Sequence, residues 1–125
     1  QPALPGECFT VVYDYPAEQA ALARIRADDP PVAERFEIYL GQMELANGYQ
    51  ELTDGDEQLR RFERESALRA ARGEEEKPLD FALIDALRHG LPDCSGVALG
   101  VDRLLMSLLK LERIDSVLAF GDDRV

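Results

Sequence analysis

Residues 32–52 limit the fold most. Along Val32–Leu40, Phe36, Ile38 and Leu40 fall on one face, and Arg35, Glu37 and Tyr39 on the other. That is the period-2 pattern of a half-buried strand. Gly41-Gln42 follows, a pair with glycine first that suits a two-residue hairpin loop. Residues 43–52 then read as the return strand. A lone hairpin is marginal in water and needs further strands or a helix against it. The chain is therefore expected to build an antiparallel sheet.

The rest supplies the partners. Phe9-Thr10-Val11-Val12-Tyr13 is aromatic and β-branched, a strand that Pro16 ends. Residues 17–26 read as a helical turn or two, and Asp28-Asp29-Pro30-Pro31 as a connector. Asp54 with Glu57 makes a capping box. It opens a helix to about Arg72, with Leu59 and Phe62 inward and Gly73 as the stop. The run Glu74-Glu75-Glu76-Lys77-Pro78 reads as a solvated loop. Asp80 caps a second helix that ends at His89 before Gly90. Residues 97–101 are apolar and bracketed by glycines. A third helix is expected over 102–109, with Leu104, Leu105 and Leu108 buried, and a strand within 114–120. The order of elements has no regular βαβ period, so the class is α+β: one antiparallel β-sheet with flanking helices to one side.

Composition narrows the function. The 125 residues hold 14 Lys+Arg against 25 Asp+Glu, a net charge of −11. Such a surface is ill-suited to gripping a phosphate backbone unaided. Hydrophobic residues reach 46%, enough for a core. No apolar run is long enough for a membrane span, and no leader pattern opens the chain. Cys8 and Cys94 are far apart and outside any CxxC, which favours reduced thiols and a cytoplasmic setting. The irregular start without Met suggests a piece of a longer protein.

Three groups of residues carry possible chemistry. Glu37 and Glu44 lie diagonally on the hairpin's polar face, where two carboxylates repel unless a cation bridges them. Mg²⁺ is the candidate cation, and a plain solvated acidic face is the alternative. Asn47, Tyr49 and Glu51 alternate and share a face, an amide, a ring and a carboxylate suited to an amine-bearing ligand. Strict alternation sets Glu44 and Asn47 on opposite faces, so a bulge at residues 46–48 is expected, with Gly48 permitting it. An ordinary polar edge strand is the alternative. In Gly96-Val97-Ala98-Leu99-Gly100-Val101-Asp102-Arg103 an apolar strand meets a helix. A cation in the first turn of a helix is disfavoured, so Arg103 fits best facing an anion there, unless it simply pairs with Asp102 or a nearby Glu. His89 sits at a helix end and reads as structural, with no nucleophilic triad in view.

Taken together, Arg35-Phe36-Glu37, the run from Glu44 through Asn47-Gly48-Tyr49-Gln50-Glu51-Leu52-Thr53-Asp54, and Gly96 through Leu104 resemble the C-terminal half of class II lysyl-tRNA synthetase catalytic domains. The last block, 96–109, resembles class II motif 3. The likeness runs from Phe9 to Phe120. Ala46-Asn47-Gly48, Glu51-Leu52-Thr53-Asp54 and Pro92-Asp93-Cys94-Ser95-Gly96-Val97-Ala98 resemble the branch of the family that modifies elongation factor P.

The resemblance implies roles. Glu37 and Glu44 would hold Mg²⁺ against ATP, Asn47, Tyr49 and Glu51 would line the amino-acid pocket, and Glu51 would take the ε-ammonium. Gly100 would lie close to the nucleotide and Arg103 would contact its phosphates. Tyr49 stands where phenylalanine is common, which alters the pocket's fine shape. The methyl of Ala98, where the tRNA-charging branch has glycine, would help tell lysine from (R)-β-lysine. The implied acceptor is elongation factor P, or tRNA-Lys if the chain belongs to the tRNA-charging branch. A non-catalytic acidic module derived from a synthetase is the remaining reading. Motifs 1 and 2 would precede Gln1, so 1–125 would be the C-terminal part of a catalytic domain, dimeric in the full-length protein and inactive alone.

Overall fold

The structure is a computed structural model that describes residues 4–6, 8–75 and 77–121. Its frame is an antiparallel sheet of strands β1 (Phe9–Pro16), β3 (Val32–Leu40), β4 (Met43–Gln50) and β5 (Ser95–Leu99), side by side in that order. A short strand β2 (Ile25–Arg26) pairs with the start of β3. Helices α1 (Gly55–Ala71) and α2 (Phe81–His89) pack on each other, and α3 (Val101–Leu109) follows β5 and contacts β4.

The hairpin forms as expected. Leu40 pairs with Met43 and Tyr39 with Glu44. Gly41 takes φ +57° in the loop, a conformation that costs glycine little. The N-caps also form as the sequence implies, but the capping box does not close, because the Glu57 carboxylate bonds Arg60 and Arg61. The Asp54 carboxylate accepts from the backbone N–H groups of Asp56 and Glu57, at 2.9 and 3.0 Å, and Asp80 accepts from Leu83 N–H at 2.9 Å. These bonds satisfy helix-start donors that have no partner within the helix. Asp56 bonds the Arg88 guanidinium at 2.7 Å, which ties the start of α1 to the end of α2.

Four expectations need correction. Residues 17–26 form only a 3₁₀ turn at Ala17–Gln19 before β2. Their backbone finds sheet partners instead: Arg24 N–H donates to Gln50 O at 2.8 Å and Leu52 N–H to Leu22 O at 3.0 Å. Within 114–120 there is a 3₁₀ turn, Ile114–Ser116, in place of a strand. There the turn's own bond, Val117 N–H to Ile114 O at 3.0 Å, satisfies the backbone locally. On α3, Met106 is the buried residue, Leu104 is half-buried, and Leu105 and Leu108 are exposed, Leu108 by 71%. This helix carries more apolar residues than the sheet can cover. On β3, the apolar Phe36, Ile38 and Leu40 are half-buried, while Ala33, Glu37 and Tyr39 are buried. Polarity misleads there because Glu37 is fully hydrogen-bonded, which makes its burial tolerable.

On α1, Gly55 and Gln58 are buried, and the expected inward residues Leu59 and Phe62 are half-buried. Cys8 and Cys94 are free thiols. Glu74 pairs with Arg69 at 2.8 Å. Glu76 lies outside the described residues. No helix among the described residues is long and apolar enough to cross a membrane.

Candidate active site

The site is built by register. Arg35 pairs with Tyr49, Glu37 with Asn47 and Tyr39 with Glu44 across β3 and β4. Asn47 pairs with Ala98 and Tyr49 with Gly96 across β4 and β5. Directly opposed residues share a sheet face. The register shifts between Ile38 and Tyr39, where Leu45 is the extra residue, so Glu37 meets Asn47 rather than Ala46. This bulge puts Glu44 and Asn47 on one face, as anticipated, but it falls ahead of residues 46–48. Gly48 serves another purpose: a Cβ there would lie 2.6 Å from the Phe36 ring and 2.9 Å from Gly96 O. Its absence lets β4 lie close to both neighbours.

Bulge and helix are joined. Gly100, which opens α3, donates its N–H to Leu45 O at 2.8 Å. Arg103, in the first turn of α3, donates Nη1–H to Glu44 O at 3.0 Å. No ion pair holds Arg103 among the described residues, so neither Asp102 nor a glutamate neutralises it. A guanidinium without a carboxylate partner among the described residues and a helix N-terminus thus sit beside the Glu44 backbone, an arrangement that favours an anion.

Glu37 lies at the centre of a polar network. It receives hydrogen bonds from Arg35 Nη2 and the Tyr39 hydroxyl, and from Asn47 Nδ2 at 3.4 Å. Burial pushes its carboxyl upward. Hydrogen bonds from Tyr39 and Tyr15 and the charge and hydrogen bond of Arg35 outweigh burial and hold it below the usual 4.5. Burial, with the Glu37 hydrogen bond second, drives the Tyr15 phenol far above its ordinary value. Burial first and the Glu51 charge second also raise the Tyr49 phenol. Both rings therefore stay neutral donors at neutral pH.

A carboxyl whose folded value is depressed contributes stability that is complete above its unfolded value and is lost as pH falls through the folded one. The protein should thus lose stability below the ordinary glutamate range. Thermal melts across acid pH check this: Glu37→Gln should flatten the decline, and an unchanged slope would contradict it.

Glu51 and Glu44 differ from Glu37: neither carboxylate has a hydrogen-bond or ion-pair partner among the described residues. Glu51 is half-buried and lies over Gly96, where a Cβ would fall 2.5 Å from Glu51 Oε1. Gly96 was not singled out in the sequence beyond its place in the glycine-bracketed run, yet it makes room for this carboxylate. Gly96→Ala is predicted to leave the fold intact, because only a flexible side-chain end must move. It should raise the KM for an amine-bearing substrate about tenfold, since a charge-assisted hydrogen bond is at stake. Steady-state kinetics with a parallel melt would check both halves.

Mg²⁺ takes oxygen ligands, commonly one or two carboxylates plus substrate phosphates. Glu44 offers an unengaged carboxylate beside Arg103. Glu37 already accepts from Arg35, Tyr39 and Asn47, so it would share its oxygens between these donors and a cation. No group of three or more His, Cys, Asp or Glu converges on a metal position among the described residues. The residues therefore fit a metal completed by phosphates, not an all-protein cage. His89, exposed at the end of α2, is bonded at Nδ1 to Asp85 O at 2.7 Å, in keeping with a structural role.

The chain belongs to the family of class II tRNA synthetases (D, K and N), whose model matches residues 5–124. Among curated proteins it is 61% identical, over 87% of its length, to the elongation factor P–(R)-β-lysine ligase of Yersinia enterocolitica. It is 60% identical over the same share to the ligases of that name from Yersinia pestis and Yersinia pseudotuberculosis. The matched region is 34% of each relative, so the chain spans about a third of their length.

Proposed function

We propose that this chain is the C-terminal part of a catalytic domain that activates (R)-β-lysine, or lysine, with ATP and passes it to a lysine of elongation factor P. One observation carries the reading. The unpaired Glu51 carboxylate, seated over Gly96, shares a sheet face with Asn47, Tyr49, Ala98 and Glu44, and Arg103 donates to the backbone carbonyl of Glu44, at the far end of that row. A cation-accepting end and an anion-accepting end are thus joined by one strand. A diamine acid would lay its distal ammonium on Glu51 and point its carboxylate toward the nucleotide. The names and identity of the Yersinia ligases support the same substrate and acceptor.

In the first step a carboxylate oxygen of the amino acid attacks the α-phosphorus of ATP and pyrophosphate leaves, giving the aminoacyl-adenylate. In the second, the acceptor amine attacks the adenylate carbonyl, and AMP leaves as the amide forms and the amine loses a proton. Glu44 and Glu37 would hold Mg²⁺, which would neutralise phosphate charge. Asn47, Tyr49 and Glu51 orient the amino acid, Ala98 limits the room beside Asn47, and Gly100 with Arg103 receives the phosphates. Positioning and charge compensation suffice, so no protein nucleophile is called for. The full-length enzyme is proposed to be a cytoplasmic homodimer.

The test is transfer. The full-length protein, with ATP, Mg²⁺ and (R)-β-lysine, should add one aminoacyl mass to purified elongation factor P, located on a lysine by mass spectrometry. Charging of tRNA-Lys with elongation factor P left unmodified would move the chain to the tRNA-charging branch of the family.

A further inference from the structure

Arg35 was not assigned a role by its place in the hairpin, yet it touches two residues of the site, Glu37 and Asn47. Its Nε donates to Asn47 Oδ1 at 3.3 Å, its Nη1 to Gln19 O at 3.0 Å, and its Nη2 to Glu37 Oε1. The guanidinium carbon lies 4.7 Å from the Tyr15 ring centroid, a cation–π contact. The side chain is 17% exposed. Every nitrogen is used and the plane is clamped from one face. A guanidinium so fixed defines directions in a way that an ammonium cannot.

We infer that Arg35 is a positioning residue for the amino-acid pocket, acting through the Asn47 amide. An asparagine amide can in principle face either way. Here it lies between a group that only donates, Arg35, and one that only accepts, the Glu37 carboxylate. Oδ1 must face Arg35, and Nδ2 must face Glu37, which it reaches at 3.4 Å. One Nδ2 hydrogen is spent on Glu37 and the second remains for the ligand. Asn47 therefore offers its second Nδ2–H as a donor, suited to an oxygen of the amino acid or its adenylate, while its Oδ1 is held on the Arg35 side. The inference rests on the functional reading above.

A double-mutant cycle in the full-length enzyme tests it. Amino-acid-dependent ATP–pyrophosphate exchange is measured for wild type, Arg35→Gln, Asn47→Ala and the double variant, with KM for the amino acid and for ATP read separately. Arg35→Gln should raise the amino-acid KM about tenfold, the scale of one charged hydrogen bond, and leave the ATP KM within a factor of about two. In the Asn47→Ala background it should add nothing further, because its route is gone. An equal factor in both backgrounds, or a parallel rise in the ATP KM, would overturn the inference. If Arg35→Gln does not fold, Arg35→Lys goes through the same cycle. It retains a charge but not the three-way fork, so it should show a smaller effect that also vanishes with Asn47→Ala. Absence of exchange by wild type would instead remove the functional reading, and this inference with it.

Discussion

Glu51→Gln in the full-length enzyme is expected to lower kcat/KM for the amino acid about a hundredfold, with the KM for ATP little changed. The carboxylate has no protein partner to lose, so the substitution subtracts only what the ligand gains. An ammonium in a site closed by bound substrate interacts with a carboxylate by about 2–5 kcal/mol. The half-burial of Glu51 places the effect at the lower end of that range, roughly 2.7 kcal/mol or two decades. Glutamine keeps the shape and one acceptor oxygen, so the loss reports charge and not packing. Pyrophosphate exchange across a range of amino-acid concentrations separates the two. A hundredfold fall would locate the distal amine at Glu51. An unchanged profile would place it elsewhere.

Arg103→Ala is expected to act at the other end of the site. Among the described residues the Arg103 side chain has one hydrogen bond, to the Glu44 carbonyl, and no ion pair. Its removal should disturb the fold little. The triphosphate gathers negative charge beside it as the α-phosphorus is attacked, and a preorganised donor there typically contributes about 10²–10³ in kcat. The expected result is a fall of about that size in the exchange rate at saturating amino acid, with the amino-acid KM within a factor of about three. A rise in amino-acid KM with kcat preserved would assign Arg103 to the wrong substrate.

Much of this site was legible because β-sheet periodicity is rigid. Once Gly41-Gln42 is recognised as the loop, the pairing of Tyr39 with Glu44 follows, and alternation gives the shared face of Asn47, Tyr49 and Glu51. The need for a bulge was arithmetic, since Glu44 and Asn47 are an odd number apart. Its location was not, because Leu45 becomes the extra residue through its carbonyl's bond to Gly100 N–H, a contact far away in sequence. The caps at Asp54 and Asp80 were readable for the opposite reason: they are local. What escaped depends on burial. The Glu37 face was expected to meet solvent, but the Tyr39 and Tyr15 hydroxyls and Arg35 close over it. Period 2 already put Tyr39 beside Glu37, and that was the one available hint. The expected inward leucines of α3 and the strand over 114–120 failed because hydrophobicity alone does not say which apolar surface finds a partner.

The central claim is that one face of this sheet binds a lysine-type amino acid for adenylation. ATP–pyrophosphate exchange by the full-length protein tests it most directly, with lysine and (R)-β-lysine compared side by side. Exchange is expected to depend on Mg²⁺ and on one of these amino acids, with (R)-β-lysine preferred and the preference weakened by Ala98→Gly. Exchange with neither amino acid, at concentrations that saturate ATP, would contradict it.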